Sequence, residues 1–109
     1  MQMTQPLSRA ILFIEEFRKI DPDISAPVAL VLLHIARKPG ITNRELGKLL
    51  GMAKSTTSRH IAFLSKELGK GLITYSEDLQ DRRYKVIKLT PEGERVVRSL
   101  LHFIGDEGA

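Results

Sequence analysis

A capped helix, a glycine and a second helix constrain the fold of this sequence more than any other feature. Thr42 and Glu45 have the spacing of a capping box, in which each side chain binds the backbone N–H of the other residue at the start of a helix. Three leucines follow on one face of that helix (helix 3), and Gly51 then supplies the left-handed residue that a sharp turn needs. Helix 4 is predicted over residues 54–68. The pattern predicts a helix-turn-helix, although many pairs of helices without a common function also contain a glycine turn.

Apolar residues at helical spacing predict helices 1, 2 and 5 around this pair. Helix 1 is predicted over residues 7–20. Helix 2 covers residues 26–38 after Ser25 as N-cap, and its nearly continuous apolar surface is typical of a buried helix. Helix 5 starts after the N-cap Thr90 and ends at Gly105. The main apolar stripe of helix 1 consists of Leu7, Ala10, Ile11, Ile14 and Phe17, and a second stripe consists of Phe13 and Ile20.

A β-hairpin follows the helix pair directly. Residues 72–76 and 84–89 are rich in β-branched and aromatic side chains, and the polar connection between them ends in Asp81-Arg82-Arg83. A helix-turn-helix followed by a hairpin is a winged helix. The sequence therefore predicts a mainly α fold with a small β-hairpin, as one winged helix-turn-helix domain over residues 1–109. The expected order is two helices, a short strand, helices 3 and 4, a strand, the wing, a strand and helix 5.

The positive charge of the chain is concentrated in the helix pair and the hairpin. The net charge is +4, and residues 43–88 carry ten Lys or Arg against five Asp or Glu. The remaining residues carry seven basic and eight acidic side chains. A basic segment in a nearly neutral frame indicates a polyanion such as nucleic acid as the partner, and the alternative is a solvated basic face without a partner.

The face of helix 4 opposite its apolar stripe has the residue types of a helix that reads DNA. Small hydroxyl residues such as Ser55 and Ser58 allow close approach and can donate to phosphates. Arg59, one turn further along, can reach guanine O6 and N7 in the major groove. With the neighbouring cations and the wing, the residues expected to contact DNA are Thr42, Lys54, Ser55, Thr56, Ser58, Arg59, Lys66, Arg82, Arg83 and Lys85.

Other function classes find little support in the sequence. It contains no cysteine, which excludes disulfides, thiol nucleophiles and cysteine-ligated metals. The three histidines, His34, His60 and His102, lack metal-ligand spacing, and no nucleophile–base pair or phosphate-cradling glycine loop is present, so we expect no metal, no cofactor and no enzymatic activity. The longest uncharged stretch, residues 24–36, is too short to span a bilayer, and no secretory signal is evident. We therefore expect a cytoplasmic, nucleoid-associated protein without a membrane partner.

Three segments of the chain carry a family resemblance. They are ITNRELGKLLG at 41–51, STTSR at 55–59 and DRRYKVIKLTPEG at 81–93, and Leu64 with Gly71-Leu72-Ile73 also matches between the last two. Together they resemble the MarR-type winged-helix transcription regulators, and the last segment is the most specific, because an acidic-basic wing before a strand that ends in Leu-Thr-x-x-Gly is that family's wing signature. The resemblance implies a homodimer that places helix 4 in the major groove and the wing at the flanking minor groove of double-stranded DNA. It also implies that Asp81 braces Arg83 while another wing arginine reaches into the minor groove.

Three departures from the family pattern change these expectations. Ala53 stands where the family usually has a Ser or Thr cap, and losing such a cap costs about 1 kcal/mol, so the first turn of helix 4 is expected to be looser. Gln80 stands where the family often has a wing arginine, so the minor-groove contact either falls to Arg82 or is absent. The last helix is short for the family. We expect a smaller or differently arranged dimer interface, and the family's small-molecule pocket beside it is in doubt; a small-molecule effector is compatible with the sequence but not indicated by it.

Helices 1 and 5 carry more apolar surface than one core-facing stripe needs. Residues 1–24 and 91–109 are therefore the expected dimerisation segments. The residues expected in the interface are Phe13, Ile20, Leu100, Leu101 and Ile104.

The leading hypothesis is a sequence-specific regulator, expected to be a repressor that occupies a palindromic operator as a homodimer. One alternative keeps the fold but makes the chain a plasmid or phage partition or replication protein that coats repeated sites. The other is a winged helix that contacts a protein rather than DNA. The polar, basic face of helix 4 and the wing arginines favour DNA over this last alternative.

Overall fold

Within residues 3–105, which the computed structural model describes, the chain forms five helices and a three-stranded antiparallel sheet. The elements are α1 (Thr4–Arg18), α2 (Ala26–Arg37), β1 (Ile41–Thr42), α3 (Asn43–Leu50), α4 (Lys54–Leu64), β2 (Ile73–Glu77), β3 (Lys85–Leu89) and α5 (Pro91–Phe103). The strands lie in the order β1-β3-β2. The expected winged-helix fold class and the expected order of elements are confirmed.

Side-chain caps start three of the five described helices where the sequence predicted them. The Ser25 hydroxyl accepts the Val28 N–H at the start of α2. In the capping box of α3, the Thr42 hydroxyl accepts the Glu45 N–H at 3.1 Å, and the Glu45 carboxylate accepts the Thr42 N–H at 3.0 Å. Gly51 ends this helix with φ of 62°. These caps satisfy backbone groups that would otherwise lack a partner, so they decide where each helix begins.

Helix α4 ends four residues earlier than predicted, because Ser65 leaves the helix and joins the sheet. Its backbone is extended, with ψ of 156°, and it forms a bridge with Ile73. The Ser65 hydroxyl donates to the Ala62 carbonyl and accepts the Leu68 N–H, which stabilises the turn that follows. The prediction that helix 4 extends to residue 68 is therefore wrong, and Leu68 is 74% exposed.

The hairpin register places one tyrosine in the sheet and the other at its edge. Tyr75 on β2 pairs with Ile87 on β3, and β1 pairs with the opposite side of β3 through Ile41 and Ile87. Tyr84 lies one residue before β3 begins. The two tyrosines therefore do not face each other across the hairpin.

Most of the main apolar stripe of α1 is exposed, and the second stripe, expected in the dimer interface, packs against the core. Phe17 is buried, and Phe13 and Ile20 pack against the same core. By contrast, Leu7 and Ile11 are 57% and 62% exposed. The rotation of the helix explains this difference, since residues 13, 17 and 20 lie on one side and residues 7, 11 and 14 on another. The core of buried apolar residues consists of Phe17, Val28, Val31, Leu32, Ile35, Ile41, Leu46, Ile61, Leu64, Leu72, Ile73, Ile87, Val97 and Leu100.

The start of α5 is locked against the base of the hairpin. The Thr90 hydroxyl accepts the Gly93 N–H at 3.0 Å and donates to the Gly71 carbonyl at 2.7 Å. A side chain at Gly93 would place its Cβ 2.0 Å from the Leu72 carbonyl oxygen, so this position requires glycine. The Leu-Thr-x-x-Gly segment therefore holds the base of the wing rigidly on the helical core.

Candidate nucleic-acid interface

Helix α4 presents a polar, basic face to solvent. Lys54, Ser55, Ser58 and Arg59 are all exposed on it, and Thr56 is half-buried. The opposite side of the helix is anchored in the core through buried Thr57, Ile61 and Leu64. Within residues 3–105, the one hydrogen bond found for the Arg59 side chain is a long contact of 3.5 Å to the Thr56 hydroxyl. The guanidinium can therefore reorient toward a ligand at little cost.

The start of α4 has no side-chain cap. Ala53 occupies the N-cap position with extended backbone and no side-chain hydrogen bond to the first turn, as its residue type predicts. The buried Thr57 hydroxyl donates to the Ala53 carbonyl at 3.0 Å, which ties the first turn to the second. The first backbone N–H groups of α4 lack a side-chain acceptor, and such groups bind phosphate well at helix N-termini.

Lys66 does not belong to this face. Because α4 ends at Leu64, Lys66 lies in the turn that follows, and its backbone N–H donates to the Ile73 carbonyl at 2.8 Å. The prediction that Lys66 extends the polar face of the helix is wrong for this reason. Its exposed side chain remains a candidate contact beyond the end of the helix.

The wing carries a braced arginine and an unbraced one. Arg83 donates two hydrogen bonds to the Asp81 carboxylate, at 2.9 and 2.7 Å. The hydrogen bonds from Arg83 lower the pKa of Asp81 to about 2. Arg82 is exposed, and none of the ion pairs found within residues 3–105 involves it. The predicted geometry of Asp81 and Arg83 is present, and Arg82 is free to extend from the wing.

Two other predicted DNA contacts have structural partners in this fold. The Thr42 hydroxyl is engaged in the capping box and its residue is half-buried. The Lys85 ammonium lies 4.5 Å above the ring of Tyr75, and its backbone N–H donates to the side-chain oxygen of Asn43. The structure therefore gives both residues a role within the fold, whereas the exposed residues of α4 have none of comparable strength.

Sequence reasoning missed a contact between α3 and the wing. The guanidinium of Arg44 lies 5.4 Å from the ring centroid of Tyr84, and that of Arg83 lies 5.5 Å from the same ring. Tyr84 also closes one side of a cavity of about 410 Å³ between α3 and the start of α4. No sequence signal marks this contact, since its partners are separated by most of the helix-turn-helix.

His60 borders the polar face from the side. It is half-buried on α4 next to Arg59. Burial, and to a lesser degree the charge of Arg59, lowers the pKa of His60. Both causes disfavour a positive charge on this imidazole. Among the described residues, no group of three or more His, Asp or Glu side chains could hold a metal ion.

The residues predicted for a dimer interface divide into buried and exposed positions. Leu100 is fully buried in the core of the single chain, so the prediction that it forms an interface is wrong. Phe13 packs edge-on against Phe17, with 5.2 Å between the two ring centroids. Ile20 and Leu101 are half-buried against the core. Ile104 is 52% exposed. Residues 1–2 and 106–109 of the predicted dimerisation segments lie outside the described residues.

A second apolar surface, not predicted as such, lies on α1. Its members Leu7, Ile11 and Ile14 are exposed on one side of the helix. We call these three residues the α1 stripe. Helices α1 and α5 pack against each other, and Gly105, just after α5, lies close to the Arg9 guanidinium of α1. None of the helices described is long and apolar enough to cross a membrane.

Comparison with known proteins finds one family consistently. A family model described as "MarR family" matches residues 23–83. The transcriptional regulator HosA of Escherichia coli O127:H6 (strain E2348/69 / EPEC) is 35% identical over 85 residues, which is 78% of this chain and 60% of HosA. The HosA of Escherichia coli O157:H7 is 34% identical over the same shares. The chain therefore spans about 60% of the length of the curated relatives it matches.

Solved structures agree with this result. The PcaV transcriptional regulator from Streptomyces coelicolor, in complex with its natural ligand, superposes with a TM-score of 0.65 at 27% identity, covering 94% of this chain and 70% of PcaV. The structure of RV1404 from Mycobacterium tuberculosis superposes with a TM-score of 0.74 at 24% identity, covering 93% of this chain and 67% of RV1404, and supports the fold alone.

Proposed function

This chain belongs to the MarR family, whose members are DNA-binding transcription regulators and not enzymes, and we propose that it binds a palindromic operator as a homodimer and represses transcription by occupying it. In this proposal α4 lies in the major groove and the wing contacts the flanking minor groove. The expectation that the chain is not an enzyme agrees with its family.

The observation that carries the proposal is the exposed face of α4 beside the wing. Lys54, Ser55, Ser58 and Arg59 are exposed together on a helix whose other side is buried. Short hydroxyl side chains let a helix approach the groove floor, and arginine pairs with guanine through two hydrogen bonds. Arg82 extends from the wing, where a narrow, A·T-rich minor groove attracts arginine.

A homodimer supplies the symmetry that this mode of binding needs. The α1 stripe and Ile104 expose apolar side chains that a single chain leaves in water. Large apolar side chains exposed together, as in the α1 stripe, are characteristic of an interface. Two-fold pairing through α1 and the end of α5 would place two copies of α4 about one helical turn of DNA apart, roughly 34 Å, and so require a palindromic site.

Binding to the DNA that flanks the gene for this chain, measured at increasing salt concentration, tests the proposal. Each phosphate contact adds about 0.9 to the slope of log affinity against log salt, so several contacts from α4 and the wing predict a steep slope. Footprinting on the same DNA should show a two-fold symmetric protected site. Binding that is insensitive to salt, or equal for this DNA and random DNA, would contradict a sequence-specific regulator.

A further inference from the structure

The contact between α3 and the wing continues the sheet beyond its last paired strand residue. Strand β1 pairs with β3 through Ile41 with Ile87 and Thr42 with Val86. One residue further along the same register, the side-chain oxygen of Asn43 accepts the Lys85 N–H at 3.0 Å. The chain has already turned into α3 at this point, so a side chain replaces the backbone acceptor that a longer β1 would provide.

The next pair in the antiparallel register, Arg44 and Tyr84, is also in contact. Arg44 follows Asn43 on α3, and Tyr84 precedes Lys85 on the wing. The Arg44 guanidinium lies 5.4 Å from the centroid of the Tyr84 ring, which is within the range of a cation–π contact. The first two residues of α3 therefore contact two consecutive residues, Lys85 at the start of β3 and Tyr84 at the end of the wing loop.

Tyr84 connects this contact to the rest of the wing loop. Its backbone N–H donates to the Asp81 carbonyl at 3.0 Å, and its carbonyl accepts the Asp78 N–H at 2.9 Å. The Arg83 guanidinium lies over the same ring while it holds the Asp81 carboxylate. A restraint on Tyr84 therefore restrains the loop from both ends.

The position of Arg44 in its own helix supports a role outside that helix. The first turn of a helix has a partial positive charge and favours acidic side chains, such as Glu45 in this chain. A cation at the second helical residue gains nothing from this environment. Its favourable contacts lie instead on the wing, with Tyr84 and with the charge of Asp81.

The geometry points to Asn43 and Arg44 as positioning residues that fasten the wing to α3 and so fix the place of Arg82 relative to α4. On the β1 side of β3, backbone pairing with a strand ends at Val86, and these two side chains provide the contacts found beyond it. They thereby set the spacing between the major-groove and minor-groove contacts. This inference rests on the proposed function, but the fastening itself is a property of the free protein.

Hydrogen exchange of the DNA-free protein tests the fastening. Asn43→Ala removes the acceptor of the Lys85 N–H, and Arg44→Ala removes the contact on Tyr84. We expect faster exchange at Lys85 and through residues 78–84 in the double variant, with the exchange of α4 and α5 unchanged. Arg37→Ala is the matched control, since Arg37 is an exposed arginine that contacts His34 on its own helix. Unchanged exchange in the wing would overturn the inference whether or not the protein binds DNA.

A double-mutant cycle on DNA separates fastening from a direct contact of Arg44 with phosphate. We expect Arg44→Ala to weaken operator binding about three- to fivefold, the effect of one exposed cation–π contact. If Arg44 acts through Tyr84, the losses in Arg44→Ala and Tyr84→Leu are not additive. Arg44→Lys should then weaken binding nearly as much as Arg44→Ala, because lysine lacks the planar guanidinium. Additive losses, or full activity of Arg44→Lys, would show a phosphate contact and overturn the positioning role.

Footprints of the same variants locate the effect on the DNA. The double variant Asn43→Ala/Arg44→Ala should lose protection of the flanking minor groove while it keeps the protection that α4 provides. Equal loss across the whole site would contradict a role confined to the wing. If the wild-type protein binds no DNA, the proposed function fails, and the exchange experiment alone decides whether the wing is fastened through α3.

Discussion

Two exposed faces of this chain differ in polarity, and therefore in the kind of partner each can bind. The α1 stripe, with Ile104 at the end of α5, is apolar, whereas the outer face of α4 consists of hydroxyl and basic side chains. An apolar face is covered favourably by another apolar surface, and a second copy of the chain offers an identical one. A basic hydroxyl-rich face is stable in water and binds a polyanion. The difference is what the proposed function requires, in which the apolar face pairs two copies of the chain and the polar face binds DNA.

The largest expected effect comes from placing a charge in the apolar face. Ile11→Asp should bury an unpaired carboxylate in the dimer interface and shift the protein to monomers, measured by sedimentation. Affinity for a two-fold site should then fall by about two orders of magnitude or more. In the dimer, binding of one copy of α4 holds the second copy near its half-site, and monomers lose this gain in effective concentration.

Leu68→Asp provides the matched control for this change. Leu68, like Ile11, has an exposed branched aliphatic side chain, but it lies after α4 and outside both faces. It should leave the dimer and the affinity unchanged. A dimeric Ile11→Asp protein that protects a full two-fold site would break the comparison, since the apolar face would then have no role in assembly.

The next effect concerns the polar face itself. Arg59→Ala should cost about 1–3 kcal/mol of specific binding and relax the preference for operator over random DNA. Thermal stability should change little, because Arg59 is exposed and makes only a long contact to Thr56. Arg37→Ala removes the same charge from α2 and should leave the preference intact. An unchanged ratio of operator to random affinity in Arg59→Ala would remove this residue from base recognition.

Substitution of the two wing arginines should affect different properties, DNA affinity for Arg82 and the order of the wing loop for Arg83. Arg82→Ala should weaken binding most at sites with A·T-rich flanks, where a narrow minor groove attracts arginine. Arg83→Ala should instead loosen the wing by releasing Asp81, which hydrogen exchange of the free protein would detect. If Arg82→Ala weakens binding equally at all flanks, Arg82 contacts phosphate and does not sense groove width.

A smaller effect is expected at the uncapped start of α4. Ala53→Ser would supply a hydroxyl acceptor to the first turn and should raise the free energy of unfolding by about 0.5–2 kcal/mol. Ala53→Val, which has no acceptor, should not. If both variants have the stability of the wild type in thermal unfolding, the first turn of α4 already has its hydrogen bonds satisfied by water.

The smallest effect is a response to acid in the wing. Because its pKa is lowered in the folded state, Asp81 contributes its brace fully above its ordinary pKa of 3.8 and loses it as the pH falls through about 2. Exchange in the wing loop should therefore increase between about pH 4 and pH 2, and Asp81→Asn should remove this dependence. A wing whose exchange, corrected for intrinsic rate, is the same over this range would show that the brace does not order the loop.

The sequence predicted the polar face of α4 better than the apolar face of α1. The capping box, Gly51 and the Leu-Thr-x-x-Gly segment act through neighbouring residues, so their roles can be recognised locally. The two stripes of α1 are both apolar and both at helical spacing, and only the packing of Phe13, Phe17 and Ile20 against the core decides which residues of the helix face outward. Leu100 and Ile104 are one turn apart on the same side of the helix, but Ile104 follows the last residue of α5, so Leu100 lies in the core and Ile104 is exposed.

Two other features depend on contacts between distant parts of the chain. Ser65 ends α4 because it pairs with Ile73, and nothing in the helical pattern of residues 54–68 indicates that bridge. The contact of Arg44 with Tyr84 follows from the register of β1 on β3, which depends on how the whole hairpin packs. Local patterns therefore predict elements, whereas tertiary pairing decides their ends and their contacts.

Selection of binding sites from a random double-stranded DNA library tests the central claim most directly, because it requires no known operator. If α4 reads the major groove and the α1 stripe pairs two copies, the wild-type protein should enrich a palindrome whose half-sites are centred about 10 base pairs apart, with A·T-rich flanks. Enrichment of a single site without two-fold symmetry, or no enrichment over the starting library, would contradict the account.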